Sequence, residues 1–279
     1  LNIVGIGSAG CNIASHFGEY PQYEIYKIDV GIEGERCYSV PHCETAEEYE
    51  AVKLPRMKTF FKGMKGETLV VVGGSGKISC ASLRILENIK KLPISILYIK
   101  PDMTLLNGSS LLRERVVFGV LQEYTRSGVF EKMYLVSNEM LDEILDGAPI
   151  IGYHERLNEI LVPTFHMLNV FSNNEPIIGK IEKPKITHRI VTLGLYDPDQ
   201  NQEKKFFSLD NVREKCYIYG INEEKLKNDG KLFKKIMSQV KSKSEENVKI
   251  SYAVYSTNYD YDIAYVIERT PYVQAQNNE

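Results

Sequence analysis

Two glycine-rich stretches carry the chemistry of this sequence. The first, Gly5-Ile6-Gly7-Ser8-Ala9-Gly10, follows the apolar run Asn2-Ile3-Val4 and opens a helical pattern from Cys11 to Phe17. Glycines at that spacing allow a tight turn and let an anion approach the backbone. The free N–H groups of a helix N-terminus then face the arriving negative charge. Asp29 closes the next apolar segment, about 20 residues on, where a dinucleotide-binding fold keeps its ribose-binding acid. A bare tight turn would use the same glycines, so this stretch alone leaves both readings open. The second stretch, Gly73-Gly74-Ser75-Gly76-Lys77-Ile78-Ser79, again stands between a strand and a helix. It is not a Walker A loop: Val71 occupies the place of that motif's first glycine, and Ile78 the place of its hydroxyl residue. Two such turns in one sheet can enclose one polyphosphate from two sides, whereas a hydride-transfer domain normally uses only the first.

Turns of this kind need a parallel sheet to hold them. In the first half, apolar runs at 2–5, 24–30, 69–72, 94–99 and 132–136 alternate with helical patterns at 11–17, 45–63, 81–91, 111–126, 140–145 and 153–171. That alternation predicts an α/β fold, a Rossmann-like parallel sheet with helices on both faces and a long central helix. Thr45 with Glu48 forms a capping-box start, Pro55 bends or splits the helix that follows, and Pro163 removes a donor from the long helix. Composition changes after Ser172. Residues 172–187 are polar and Pro-containing and read as a hinge, and 188–279 reads as a smaller α+β domain. The domains are therefore expected at 1–171 and 188–279. In the second, strands are predicted at 189–196, 248–255 and 262–268, with a lysine-rich amphipathic helix through most of 222–243. The Tyr-rich stretch Tyr252, Tyr255, Tyr259, Tyr261 and Tyr265 reads as strand packing.

Composition narrows the function classes. The chain has 279 residues, 43% hydrophobic and 25% charged, which is the balance of a soluble globular protein, and no apolar run is long enough to span a bilayer. A formal charge of -3 gives no reason to expect a broad nucleic-acid-binding surface. The five cysteines are odd in number and lack a CxxC pair, so a reducing, cytoplasmic setting without disulfides is expected. No basic leader precedes the first strand, so no signal peptide is expected. Cys37, His42 and Cys43 do not complete a four-ligand set, so no metal site is expected.

Read together, these segments resemble the tubulin and bacterial cell-division FtsZ superfamily. The run Ile3-Val4-Gly5-Ile6-Gly7-Ser8-Ala9-Gly10-Cys11-Asn12 is similar to that family's first phosphate loop, and Lys27-Ile28-Asp29 stands where the family has Asn-Thr-Asp. Residues 71–79 occupy the place of the tubulin signature glycine loop. Residues 134–141, with Asn138, are similar to a family run that precedes the long central helix, and 154–161 resembles the start of that helix. The resemblance spans about residues 1–171.

By position, it implies that the loop with Gly5, Gly7, Ser8, Ala9, Gly10, Cys11 and Asn12 holds the α and β phosphates, with Asn12 reaching toward the base or phosphate. Gly73, Gly74, Ser75, Gly76 and Lys77 would cradle the β and γ phosphates, with Asp29 and Asn138 at the same site and Asn158 on the guanine edge. The implied ligand is GTP or GDP, with Mg2+ left open, and the implied partner is a second copy of the chain in nucleotide-dependent assemblies.

The sequence departs from the family in two places. The Gly-Thr-Gly centre of the second loop is absent and Lys77 adds a positive charge. After the central helix, where the family carries acids that enter the next subunit's site, Asn173-Asn174-Glu175-Pro176 offers only Glu175 as a candidate catalytic acid. Weak or absent GTP hydrolysis is therefore expected, completed by the neighbouring subunit if present. Two alternatives remain: an NAD(P)-binding or adenylating Rossmann enzyme, supported by the first glycine turn and Asp29, and a structural assembly protein that kept the fold without nucleotide turnover.

Overall fold

The computed structural model describes residues 1–275. The chain divides into two compact units, residues 1–158 and 159–274. The first opens with β1 (Asn2–Ile6), α1 (Gly7–Phe17), β2 (Glu24–Val30) and β3 (Cys37–Val40). It continues with the short helices α2 (Ala46–Ala51) and α3 (Met57–Phe60), then β4 (Thr68–Gly73), α4 (Ser82–Leu86) and β5 (Ile94–Lys100). The helix α5 (Gly108–Arg126), β6 (Lys132–Ser137), α6 (Asn138–Ile144) and α7 (Tyr153–Ser172) follow, the last crossing into the second unit.

The sheet of the first unit runs β3-β2-β1-β4-β5-β6 with every neighbouring pair parallel. β1 is buried at all five positions and β4 at five of six, as strands covered on both faces must be. This is the parallel sheet that the alternating pattern predicts. β3 lies outside the sequence-based expectation. It is a four-residue edge strand with two half-buried residues, one exposed and only Val40 buried, and so carries no apolar run.

Local chemistry explains where helices differ from their predicted extents. The capping box forms as expected: Thr45 Oγ1 accepts from the Glu48 N–H, and the Glu48 carboxylate accepts from the Thr45 N–H. The predicted helix over 45–63 is nonetheless two short ones, separated by a stretch containing Pro55, whose ring nitrogen has no hydrogen to donate. The predicted helix over 81–91 is a 3₁₀ turn at Lys77–Ala81, then α4, then a second 3₁₀ turn at Glu87–Ile89. Ser79 Oγ donates to the Gly73 carbonyl and Ser82 Oγ to the Ser79 carbonyl, so hydroxyls compete with the regular ladder there. Pro163 is accommodated inside α7, which stays continuous.

In the second unit, β7 (Ile178–Gly179), β8 (Ile190–Asp197), β9 (Gln202–Lys205), β10 (Glu214–Asn222), β11 (Lys249–Thr257) and β12 (Ile263–Thr270) pair in the order β9-β8-β12-β10-β11-β7. All of these contacts are antiparallel except β10 with β11. The lysine-rich segment is two helices, α8 (Glu223–Asn228) and α9 (Leu232–Ser242), separated at Asp229-Gly230-Lys231. Leu232 and Ile236 of α9 pack with Tyr196, Tyr217, Tyr219 and Val254 in the unit's core, while Phe233 stays exposed. Tyr255 stacks on Phe171 at 4.6 Å between ring centroids. Tyr255 and Tyr265 are buried as strand residues, whereas Tyr259 and Tyr261 are exposed and stack on each other. Among the described residues no helix is long and apolar enough to cross a membrane, and no group of His, Cys, Asp and Glu could hold a metal ion.

Candidate functional site

The strand order reverses between β1 and β4: β2 and β3 build outward on one side of β1, and β4, β5 and β6 on the other. Ligands of open α/β sheets bind at such a switch point, beyond the carboxyl ends of the strands. Both glycine turns leave from it. Ile6 is paired with Val72, so the turn after β1 and the turn after β4 leave neighbouring strands at the same level. The two turns touch. A Cβ on Gly7 would come within 2.6 Å of Ile78 Cγ2, and one on Gly73 within 3.3 Å of Ala9 Cβ. Gly7 also has a φ of +71°, a conformation that costs an L side chain energy.

Both turns open onto uncapped helix starts. The N-cap of α1 is Ile6, which offers no side-chain bond, and the first turn holds no acid. The N–H groups of Gly7, Ser8 and Ala9 therefore have no partner within the helix. The 3₁₀ turn at Lys77–Ala81 begins after Gly76, again without a side-chain cap. The Gly74 N–H is not available, since it donates to the Ile99 carbonyl at 3.1 Å. The second turn thus presents the amides of Ser75, Gly76, Lys77 and Ile78. Ser8, Ala9 and Asn12 lie on the exposed side of α1, and Gly76 and Lys77 are also exposed. This arrangement can hold an anion between two sets of backbone donors.

Gly5 and Gly10 also pack α1 against the sheet. A Cβ on Gly5 would sit 2.6 Å from the Gly10 carbonyl carbon and 2.8 Å from Cys11 Cα. A Cβ on Gly10 would strike the backbone carbonyl of Val71. These glycines let α1 lie directly on β1 and β4. The Cys11 side chain also faces inward, with Sγ within donating reach of the Gly5 and Ile28 carbonyls, at 3.5 and 3.6 Å. Burial pushes its thiol up to about 12, against the Ile28 bond that lowers it. Only its backbone belongs to the turn. A thiol at about 12 rather than the ordinary 9.0 carries about a thousandfold less thiolate at a given pH. In the native protein at pH 8, Cys11 is expected to resist iodoacetamide while the half-exposed Cys37 and Cys43 are labelled, as peptide mass mapping would read. Fast labelling of Cys11 would mean that α1 does not pack as described.

Asp29 lies just past the β2 residue paired with Ile6. Its Oδ2 accepts from Ser8 Oγ at 2.9 Å and its Oδ1 from the Val30 N–H at 2.8 Å, which ties the acid to the first turn. Asn138 starts α6 directly after β6, at the same edge of the sheet. Two strand spacings separate β6 from β4, roughly 10 Å. The sheet therefore gathers the first turn, Asp29, the second turn and Asn138 along one edge. Asn158 lies in α7 and is 7% exposed, so its amide is not on a solvated helix face. Glu175 belongs to the second unit and is exposed. The neighbouring Asn173 and Asn174 donate their side-chain amides to the Asn169 and Val170 carbonyls and so finish α7. Asn107 caps α5, its Oδ1 accepting from the Ser110 N–H at 3.1 Å.

Three supporting residues were not singled out from the sequence. Arg113 of α5 donates from Nε to the Ser75 carbonyl at 3.1 Å, placing a guanidinium against the second turn. Beneath Gly74, Tyr98 donates to Glu114 Oε1 at 3.2 Å, and a Cβ on Gly74 would meet both side chains. Glu114 is fully buried. Burial raises its carboxyl, opposed by the Lys100 charge and the Tyr98 bond. A signal for Glu114 was present: it falls in one helical stripe with the buried Val117, Phe118 and Leu121. A cleft of about 600 Å³, lined by residues including Cys80, Val116, Val120 and Tyr124, is also present in this unit; of the two glycine stretches only Ser79, the last residue of the second, lines it.

No protein-family model and no curated protein matches the sequence. Solved structures do. A GTPγS-form protofilament of TubZ from Bacillus thuringiensis serovar israelensis superposes with a TM-score of 0.76 at 14% identity, over 96% of this chain and 86% of that one. A GDP-bound CetZ1 monomer from Haloferax volcanii gives 0.70 at 15% identity, over 95% and 92%. An empty FtsZ dimer from M. jannaschii gives 0.69 at 11%, over 96% and 87%. Strand order, paired glycine turns and these superpositions together identify the chain as a divergent example of the tubulin/FtsZ fold.

Proposed function

We propose that this chain is a cytoplasmic guanine-nucleotide-binding protein that self-associates in a nucleotide-dependent way, with weak or absent GTP hydrolysis. The observation that carries the reading is the contact between the two glycine turns at the switch point, each with unpartnered backbone amides. Those amides suit the oxygens of a phosphate chain. Gly7, Ser8 and Ala9 would take one part of it and Ser75, Gly76 and Lys77 the other, with Arg113 holding the second turn in place. Asp29, Asn138 and Asn158 are the candidate sugar and base contacts. When bound, the triphosphate supplies the negative charge and the cleavable phosphoanhydride. Relatives in fold described as protofilaments and filaments support self-association.

Nucleotide released on denaturing the purified protein is expected to be GDP or GTP, and pelleting is expected with GTP rather than GDP. Recovery of a nicotinamide or adenine cofactor would replace this reading with the Rossmann-enzyme one. Lys77→Ala is expected to weaken triphosphate binding about tenfold and to flatten its salt dependence. Unchanged affinity and salt slope in a titration of both proteins would remove Lys77 from the site.

Turnover has few residues to serve it. Glu175 is the one acid in the segment 173–176, and both preceding asparagines are used as helix caps. That favours, as a second reading, an assembly protein that keeps nucleotide without cleaving it. Bound GTP with no phosphate release over hours, in an assembled sample, would select it.

A further inference from the structure

The second unit contains a basic pocket that the glycine turns do not explain. It has a volume of about 470 Å³ and is lined by residues including Lys185, His188, Arg213, Glu214, Asn247 and Lys249. Strand register builds its floor. Glu214 of β10 is paired with Lys249 of β11 on one side and Arg269 of β12 on the other, giving a cross-strand row of plus, minus, plus at one end of the sheet. The segment before β8 is fastened onto that row: the Lys185 N–H donates to Glu214 Oε1 at 3.2 Å, and His188 Nδ1 lies 3.0 Å from the same oxygen. His188, Glu214 and Arg269 are each at most 7% exposed.

The charges in this pocket do not balance. Glu214 is the only carboxylate in the lining; it accepts from the Lys185 N–H, and His188 Nδ1 and Arg269 Nη1 lie 3.0 and 3.8 Å from it. Lys249 pairs with Glu182. Arg269 is 7% exposed, and its buried Nε has no hydrogen-bond partner. Among the described residues the side chains of Lys185 and Arg213 make no ion pair, although both line the pocket with Glu214. Arg213 is held instead over the Tyr272 ring at 5.8 Å, and Lys185 is exposed at the rim. Two uncompensated positive charges match a dianion better than a single carboxylate. A phosphate monoester or free phosphate carries about -1.5 to -2 near neutral pH and accepts several hydrogen bonds.

We infer that the pocket bounded by Lys185, His188, Arg213 and Lys249 is a second oxyanion site, separate from the glycine turns, that takes a phosphate dianion. The test is a titration of the full chain with inorganic phosphate at constant ionic strength, followed by amide NMR shifts, with chloride as the control. Saturating shifts are expected at residues 185–188, 213–214 and 247–249. Combined Lys185→Ala and Arg213→Ala substitution is expected to weaken them at least about tenfold. If that variant does not fold, Lys185→Gln alone, at an exposed side chain, is expected to weaken binding about threefold. Phosphoserine titrated in parallel separates the sources: tighter binding than inorganic phosphate assigns a phosphate carried on a side chain, and equal or weaker binding assigns a free one. Absence of saturating shifts in this pocket, equal shifts with chloride, or shifts unaffected by the substitutions would overturn the inference. Shifts confined to residues 5–12 and 73–78 would do the same while leaving the nucleotide reading intact.

Discussion

Gly5→Ala is expected to lower the unfolding free energy by about 3 kcal/mol and to strip the protein of any nucleotide. The added methyl would meet backbone rather than a side chain, with the Gly10 carbonyl carbon at 2.6 Å and Cys11 Cα at 2.8 Å. Backbone atoms at the start of α1 cannot rotate away, so the whole helix must lift from β1. Lifting it also separates α1 from β4, because Gly10 rests on the Val71 carbonyl. Urea unfolding measures the loss. Gly119→Ala is the matching control. Gly119 lies inside α5 with nothing within 4 Å of its Cβ position, so alanine there is expected to stabilise by about 0.5–1 kcal/mol. A Gly5→Ala protein as stable as wild type would mean that α1 does not sit directly on the sheet.

Gly7→Ala should show whether the two turns are mechanically one site. At φ +71° the alanine costs about 1–2 kcal/mol by itself, and its methyl would also press Ile78 Cγ2 at 2.6 Å. If the site takes a nucleotide as proposed, a loss of roughly 100-fold in affinity is expected, because the turns are forced apart where Gly7 meets Ile78. Ile78→Ala alone removes a buried side chain and costs about 2–3 kcal/mol. In the double variant the new methyl has space, so the losses are expected to fall short of their sum by about 1 kcal/mol or more. Strictly additive losses in this cycle would mean that the first and second turns are not in contact. The stability readout does not depend on which ligand the site takes.

The alternation of strands and helices was readable from residue types because a parallel sheet covered on both faces needs unbroken apolar strands such as Leu69-Val70-Val71-Val72. The turns were readable because glycine permits backbone shapes that other residues resist, as at Gly7. Helix extents were less so. The splitting of 45–63 and the 3₁₀ turns around α4 depend on Pro55, Ser79 and Ser82 acting on backbone partners, and those partners are set by the fold. The packing duties of the individual glycines were not legible either. Gly5, Gly10 and Gly74 look like phosphate contacts in the sequence. The structure shows close helix–strand packing at the first two, and at Gly74 contact with Tyr98 and an amide already bonded to Ile99.

By itself, the sequence determined the kind of sheet, the presence of two glycine-rich strand–helix turns and the likeness to the tubulin and FtsZ superfamily. Each of these depends on short runs of residue type and spacing, which local sterics and burial translate directly into backbone shape. Only the tertiary structure decided that β1 and β4 are neighbours, that Gly7 meets Ile78, that Arg113 and Glu114 support the second turn, and that Glu214 sits between Lys249 and Arg269. Those pairings join residues far apart in the chain. They follow from strand order and register, which arise when the whole core packs at once.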